Sequence, residues 1–181
     1  MKTYQTSDLR NFAIVGHASA GKTMLCECML ACGGVLNRLG GIEAGSTASD
    51  YHVEEKERKI SIHASLLHTE WLDRKFNIID TPGYLDFISE SLGALRVADS
   101  AVVVVNALHG VGVGTDQVWR HATEFGIPKI LVANGLDKEH VNFEHALQEI
   151  KKHFGDRVFP LSLPVNAGPG FTQVLDIMRS E

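Results

Sequence analysis

The chain has 181 residues, of which 44% are hydrophobic and 22% charged, an ordinary composition for one globular domain. Its net charge of -5 gives no general attraction to nucleic acid, and no apolar run approaches the roughly 20 residues of a membrane-spanning helix. The first ten residues are polar and lack the apolar stretch of a signal peptide, so we expect a cytoplasmic chain with no membrane contact.

Apolar runs alternate with amphipathic helical patterns along the chain. Strands are predicted at 11–15, 60–69, 75–80, 101–106, 129–134 and 158–163, and helices at 22–31, 85–98, 115–125, 143–154 and 171–179. The strands at 60–69 and 75–80 form a predicted hairpin, and a polar stretch at 33–59 precedes it. This alternation predicts an α/β fold with a mostly parallel six-stranded sheet and helices on both faces.

The segment GHASAGKT follows the first predicted strand and opens the first predicted helix. It matches the pattern G-x-x-x-x-G-K-[ST], in which backbone N–H groups surround phosphate oxygens, a lysine reaches the β- and γ-phosphates and a hydroxyl binds Mg²⁺. The start of the helix adds partial positive charge. The residues expected to bind the nucleotide here are His17, Ala18, Ser19, Ala20, Gly21, Lys22, Thr23 and Met24.

A second motif, Asp80-Thr81-Pro82-Gly83, closes the predicted strand at 75–80. A carboxylate at the end of a buried strand is the usual position for a group that supports Mg²⁺. We therefore expect Asp80 to support the ion through water and Gly83 to place its backbone N–H against the γ-phosphate.

A third motif, Asn134-Gly135-Leu136-Asp137, closes the predicted strand at 129–134. A carboxylate at Asp137 would accept hydrogen bonds from guanine N1–H and the 2-amino group, a donor pair that adenine lacks. Asn134 would bind the base edge and brace the phosphate loop. The motif favours GTP, and an ATP-using enzyme is the alternative.

Together the segments GHASAGKT, DYHVEEKERKISI, DTPGYLDF and NGLDK resemble the G domain of the translational GTPases, with the greatest likeness to elongation factor G and its paralogues. The resemblance implies a P-loop NTPase G domain. It implies that Asp50 to Ile62 is the first switch, with Ser61 as a Mg²⁺ ligand where the family usually has Thr, and that Asp80 to Glu90 is the second switch.

Three residues depart from the family pattern. Tyr84 replaces the usual catalytic histidine, Ser19 replaces an acidic residue of the phosphate loop, and Gly135 replaces a lysine. The resemblance implies hydrolysis of GTP to GDP and phosphate, with Lys22, Gly83 and Tyr84 as the catalytic group and Mg²⁺ as the cofactor. The departures predict a low intrinsic rate, and a nucleotide-dependent switch with negligible hydrolysis is the alternative.

The resemblance also implies partners and domain organisation. The full-length protein would act on the ribosome, rRNA and ribosomal proteins included, as a monomer. The chain is predicted to be a single GTP-binding domain over 1–181, an N-terminal fragment in which about 158–181 begins an inserted subdomain. The alternative is a complete small domain, in which Ser162 and Leu163 form a degenerate base-contact loop and 171–179 is the closing helix.

Histidines and cysteines suggest no further site. Among the nine histidines no pair has convincing ligand spacing in the sequence, so they are expected to be surface or packing residues. The three cysteines, Cys26, Cys28 and Cys32, lie in one predicted helix and are expected to be small buried apolar residues.

Overall fold

A computed structural model of the chain describes residues 2–179. The elements are β1 (Leu9–Gly16), α1 (Lys22–Cys32), α2 (Val53–Arg58), β2 (Ser65–Trp71), β3 (Arg74–Asp80), α3 (Ile88–Val97), β4 (Ser100–Asn106), α4 (Val113–Glu124), β5 (Lys129–Asn134), α5 (Phe143–Phe154), β6 (Ser162–Pro164) and β7 (Val174–Asp176). Short 3-10 helices cover Thr6–Asp8 and Leu85–Phe87.

The main sheet has the strand order β2-β3-β1-β4-β5. β1 pairs in parallel with β3 and β4, and β4 pairs in parallel with β5, whereas β2 and β3 form the predicted antiparallel hairpin. Because the central strands are parallel, the carboxyl ends of β1, β3, β4 and β5 meet at one edge. The three sequence motifs all follow strands that end there, which is where ligands bind in sheets of this type.

Helices pack on both faces of the sheet, as the sequence predicts. One face of β1 contributes Ala13 and Val15 to a core that includes Leu95 of α3 and Val118 of α4. The opposite face contributes Ile14 to a core that includes Cys26 of α1. This alternation follows from the two-residue period of a strand, and it fixes α1 directly behind the phosphate loop.

The end of the chain differs from the sequence prediction. The main sheet has five strands and not six, since β6 pairs only with β7, in a separate antiparallel ribbon. Residues 171–179 form no helix, and Val174–Asp176 is a strand. The apolar residues of this segment are largely exposed, with Val174 at 56% and Met178 at 74%. A helical period read from the sequence alone therefore gave the wrong element.

The first helix also corrects an expectation. Cys26 is buried, but Cys28 and Cys32 are exposed. The buried positions of α1 include instead the acidic residue Glu27, which is 1% exposed. Among residues 2–179, no helix has the length and apolar character needed to cross a membrane.

Candidate functional site

The phosphate loop is shaped by two glycines. Gly16 has φ +146° and Gly21 has φ +96°, a region of backbone conformation that residues with a side chain rarely adopt. Space is also restricted: a Cβ at Gly16 would overlap Val104 O, and one at Gly21 would overlap Asn134 Nδ2. The loop therefore requires glycine at both positions, and α1 begins directly after it at Lys22.

Lys22 lies inside the loop with its ammonium turned back toward the backbone. The side chain is 6% exposed, and Nζ donates a hydrogen bond to His17 O at 3.0 Å. Burial lowers the pKa of Lys22 to about 8. A cation held in this way has few partners of its own, and phosphate oxygens at the loop would supply them.

Gly83 packs directly against this lysine. A Cβ at Gly83 would overlap Lys22 Nζ and stand 2.6 Å from Ala18 N. The DTPG turn and the phosphate loop are therefore in contact, and only glycine allows this approach. The structure thus brings together Lys22 and Gly83, two of the three residues predicted to form the catalytic group.

Three oxygen-bearing side chains meet at the base of the loop. Thr23 Oγ1 donates to Asp80 Oδ2 at 2.9 Å, and it lies 3.2 Å from Ser61 Oγ. Burial raises the pKa of Asp80. Its Oδ1 atom is buried and has no hydrogen-bond partner within residues 2–179. An unpaired buried carboxylate oxygen beside two hydroxyls fits a hard divalent cation or a water bound to one.

A second carboxylate, Asp50, lies next to this cluster. It is 5% exposed, and burial raises its pKa, an effect that the Ser61 hydroxyl partly offsets. Thr47 Oγ1 and Ser49 Oγ are also buried without partners in the described part of the chain. The sequence analysis placed Asp50 only at the boundary of a loop, and nothing in its local pattern shows that the side chain turns inward.

Asn134 joins the base-binding motif to the phosphate loop. Its side-chain amide donates to Ala20 O at 2.9 Å, which is the bracing contact the sequence predicts. Asp137 is exposed, with Lys138 Nζ at 3.5 Å. Gly135 has φ +79°, so the residue that replaces the family's lysine occupies a backbone conformation that favours glycine.

The remaining predicted residues take up two different positions. Ala18, Ser19, Ala20 and Tyr84 line an open cavity of about 400 Å³ in front of the loop. His17 also lines it, and its backbone N–H donates to Thr115 Oγ1 at 2.9 Å. Met24 is half-buried in the first turn of α1. By contrast, Ser162 pairs with Asp176 in the small ribbon, and Leu163 lines a groove beside Asn142 and Phe143 of the α5 start.

Two buried glutamates that the sequence analysis did not single out organise the polar stretch. Glu27 Oε2 accepts a hydrogen bond from Gly40 N at 2.7 Å, and Oε1 accepts one from Ala48 N at 2.5 Å. Glu55 lies in the charged run at 54–59, where charged side chains normally face solvent, yet it is 1% exposed. It is the third residue after His52, which precedes α2, and a glutamate at this spacing is one half of a capping box. The other half is usually Ser or Thr and is here a histidine, so the sequence carries only part of the signal.

The comparisons with known proteins agree with this geometry. Residues 7–177 match the family model described as the elongation factor Tu GTP binding domain. The chain is 35% identical over 180 residues to elongation factor G of Mycoplasma pneumoniae, which covers 99% of this chain and 26% of that protein. It is 38% identical over 177 residues to the mitochondrial ribosome-releasing factor 2 of Debaryomyces hansenii, covering 95% and 21% respectively.

A solved structure gives the same result. A crystal structure of a protein from Thermus thermophilus superposes with a TM-score of 0.89 at 34% identity, and it covers 94% of this chain and 26% of that one. The chain thus spans about a quarter of the length of the relatives it matches. The predicted α/β fold and the predicted similarity to elongation factor G are confirmed, and the chain belongs to the elongation factor Tu GTP binding domain family.

Proposed function

We propose that the chain binds GTP with Mg²⁺ at the phosphate loop and hydrolyses it slowly without assistance. The observation that carries the proposal is the buried oxygen cluster, where Thr23, Ser61 and Asp80 lie together below the loop with one carboxylate oxygen unpaired. An all-oxygen donor set is the type that Mg²⁺ prefers over softer metals. Thr23 and Ser61 would hold the ion, and Asp80 would support it through water.

Charge stabilisation would come from the loop and from the ion. Mg²⁺, when bound, neutralises negative charge that develops between the β- and γ-phosphates. Lys22 would donate to the same oxygens once phosphate replaces its contact with His17 O. The backbone N–H of Gly83 would contact the γ-phosphate, a role supported by its close approach to Lys22.

Tyr84 limits the rate of hydrolysis in this proposal. Its side chain lines the cavity in front of the loop and is 42% exposed. A phenol there can hydrogen-bond the attacking water, but it holds that water less firmly than a buried group would and offers no imidazole. A nucleotide-dependent switch with negligible hydrolysis is the second candidate, and the exposure of Tyr84 is the observation that favours it.

Base recognition would depend on Asp137 and Asn134. The Asp137 carboxylate is exposed at the end of β5, accessible to a ligand, and Asn134 already contacts the phosphate loop. Ser162 and Leu163 carry no base contact in this proposal, because they lie in the separate ribbon. The 158–181 segment instead begins a further subdomain.

Single-turnover GTP hydrolysis, measured with and without ribosomes, tests the proposal. We expect slow release of phosphate by the chain alone that requires Mg²⁺, and competition in which GTP displaces bound GDP while ATP does not. Hydrolysis by the isolated chain at a rate independent of Mg²⁺ would contradict the role of the oxygen cluster. Binding without any hydrolysis under either condition would favour the switch.

The remaining assignments concern the whole protein. Ribosome binding by the whole protein is proposed from the relative named as a ribosome-releasing factor, whereas rRNA contact and the monomeric state stay predictions. The predicted cytoplasmic location stays a prediction, since one of those relatives is mitochondrial.

A further inference from the structure

We propose that His52, Glu54 and His63 form a binding site for one transition-metal ion of the Zn²⁺ class, separate from the phosphate site. One ligand atom from each side chain lies within 4.8 Å of the other two. His63 Nε2 is 3.5 Å from Glu54 Oε1, and the two imidazole ring centroids are 4.6 Å apart. Sequence spacing hid this cluster, because eleven positions separate the two histidines.

The distances suit a small ion after minor side-chain rotation. Ligands bonded to a tetrahedral Zn²⁺ at about 2.0–2.1 Å stand roughly 3.4 Å from one another. The Glu54–His63 pair has nearly this separation already. Two imidazoles and one carboxylate are a donor set for Zn²⁺ with the fourth position open to water, and they differ in kind from the all-oxygen cluster at Thr23.

The backbone around the cluster is held by a single buried carboxylate. Glu55 Oε2 accepts from His52 N at 3.2 Å, and Glu55 Oε1 accepts from His63 N at 2.9 Å. Oε1 also accepts from Ile62 N at 3.0 Å. Both histidines are therefore fixed at their backbones by one side chain that is 1% exposed. Such support from neighbouring groups is what keeps metal ligands in place before the ion binds.

The position of the cluster gives the ion a structural effect. His52 precedes α2, Glu54 lies in its first turn, and His63 follows Ser61 by two residues. A bound ion would tie the start of α2 to the segment that carries Ser61 toward Thr23. The His63 and Glu54 side chains are 42% and 49% exposed, so an ion can reach them from solvent.

The test is a titration of Zn²⁺ and Co²⁺ into the nucleotide-free 181-residue chain in excess Mg²⁺. The excess magnesium is added to compete for the oxygen cluster, and the chain carries Cys28→Ser and Cys32→Ser because these exposed thiols are competing ligands. We expect one ion per chain by calorimetry. His52→Ala, His63→Ala and Glu54→Gln should each weaken binding by about tenfold or more.

His68→Ala is the matched control, since His68 is a histidine of β2 outside the cluster. The affinity of this variant for Zn²⁺ should equal that of the parent. Hydrogen exchange of the amides at 52–63 should slow when Zn²⁺ is added to the parent, and it should not slow in Glu54→Gln. Because Glu54 is an exposed side chain, this substitution is expected to leave the fold intact. Absence of stoichiometric binding, or equal affinity in the parent and Glu54→Gln, would overturn the proposal and leave an ordinary surface ion pair between His63 and Glu54.

Discussion

The phosphate site holds charged side chains in places that water does not reach. Lys22 and Asp80 are 6% and 2% exposed, and burial shifts the pKa of each toward its neutral form. Such groups cost stability in the free chain, and a ligand that supplies the opposite charge recovers that cost. We therefore expect the buried ammonium of Lys22 to gain from phosphate binding and the buried carboxylate of Asp80 to gain from the metal ion that accompanies the nucleotide.

We expect Lys22 to make nucleotide binding depend on pH. Its pKa is lowered to about 8 in the folded chain, so above that pH the folded chain loses a proton that the unfolded chain retains up to about 10.5. Stability of the free chain therefore rises with pH in this window. Phosphate restores the proton, so GDP affinity should fall above pH 8, approaching tenfold per pH unit.

Calorimetry between pH 7 and 9, in buffers of different ionisation enthalpy, measures both the affinity and the proton uptake. Lys22→Gln should bind GDP more weakly at every pH, and its affinity should depend much less on pH. Any pH dependence that remains in this variant comes from other groups, including the guanine base of the ligand. An equal pH slope in the parent and in the variant would show that another group is responsible.

Asp80→Asn separates the metal role from stability. The substitution removes the buried charge while an amide oxygen remains to accept from Thr23. We expect the tightening of GTP binding by Mg²⁺ to fall by about tenfold or more, whereas the thermal midpoint without ligand does not decrease. Binding with and without Mg²⁺, together with melting of the ligand-free chain, checks both parts. A lowered midpoint with normal Mg²⁺ dependence would make Asp80 a structural residue only.

Tyr84 is the residue on which the rate is expected to depend. Tyr84→His should raise single-turnover hydrolysis by about tenfold or more, because positioned imidazoles contribute factors of this order and above. Tyr84→Phe is the matched control: it keeps the ring and should lower the residual rate without changing GTP affinity. If the histidine variant is no faster than the parent, the slow step lies elsewhere in the site.

Among the elements, α1 does more than present the phosphate loop. Glu27, on its buried side, accepts backbone hydrogen bonds from Gly40 and Ala48 and so fixes a stretch that contains no regular element between α1 and α2. A buried carboxylate with two charge-assisted bonds is a strong anchor for such a loop. The conformation of residues 33–50 therefore depends on a residue outside it.

Glu27→Gln tests this anchor. The amide can accept one of the two backbone bonds but presents an N–H group to the other donor, so we expect faster proteolysis and faster amide exchange at 33–50 while the main sheet is unaffected. Glu43→Gln is the control: it removes a solvent-exposed ion pair with Lys59, which contributes little to stability, and should leave both rates nearly unchanged. Equal protection in the two variants would contradict the anchoring role.

The elements also show what the sequence could predict. Contiguous apolar runs such as VVVV in β4 gave the buried strands, and Phe143–Phe154 was predicted with its observed bounds, since both patterns are local. The contacts of Asp50 and Glu27 depend on how the chain folds beyond the nearest neighbours in sequence, as in the bonds from Glu27 to Gly40 and Ala48, and no local pattern encodes them. The strand predicted at 158–163 overlaps β6 (Ser162–Pro164), but β6 pairs with β7 and not with the main sheet, and strand pairing is not visible in a local pattern. The helix predicted at 171–179 was wrong, because a strand of three residues such as Val174–Asp176 is too short for a period to identify.

At the scale of the molecule, the small ribbon supplies none of the side chains proposed to bind nucleotide, and the turn between its strands contacts the base-binding motif at the backbone of Leu136. It joins the rest through contacts such as Gly168 N to Leu136 O at 2.7 Å and the groove beside α5. We therefore expect a chain that ends at residue 157 to keep the five-stranded sheet and to bind GDP within about threefold of the parent, since the parts that bind phosphate and base are retained.

Circular dichroism and GDP titration of the shortened chain provide the measurement. Asp137→Asn in the same shortened chain should lose its preference for guanine over adenine nucleotides. That loss would show that the assay detects contacts with the base. Loss of affinity by more than about tenfold on shortening would contradict this expectation and show that residues after 157 support the base site, either through the bond from Gly168 to Leu136 or through Ser162 and Leu163.

The bond from Asn134 to Ala20 O has a consequence for how the two ends of a nucleotide are recognised. It makes the loop after β5 and the loop after β1 one rigid frame, with Gly21 leaving the space the amide needs. In a nucleotide the base and the phosphates are joined covalently. Once one of them is bound, the other lies at a high effective concentration and in the right orientation beside its own loop. Guanosine and pyrophosphate added as separate fragments would forfeit that advantage, so the covalent link of the intact nucleotide carries affinity that neither fragment possesses.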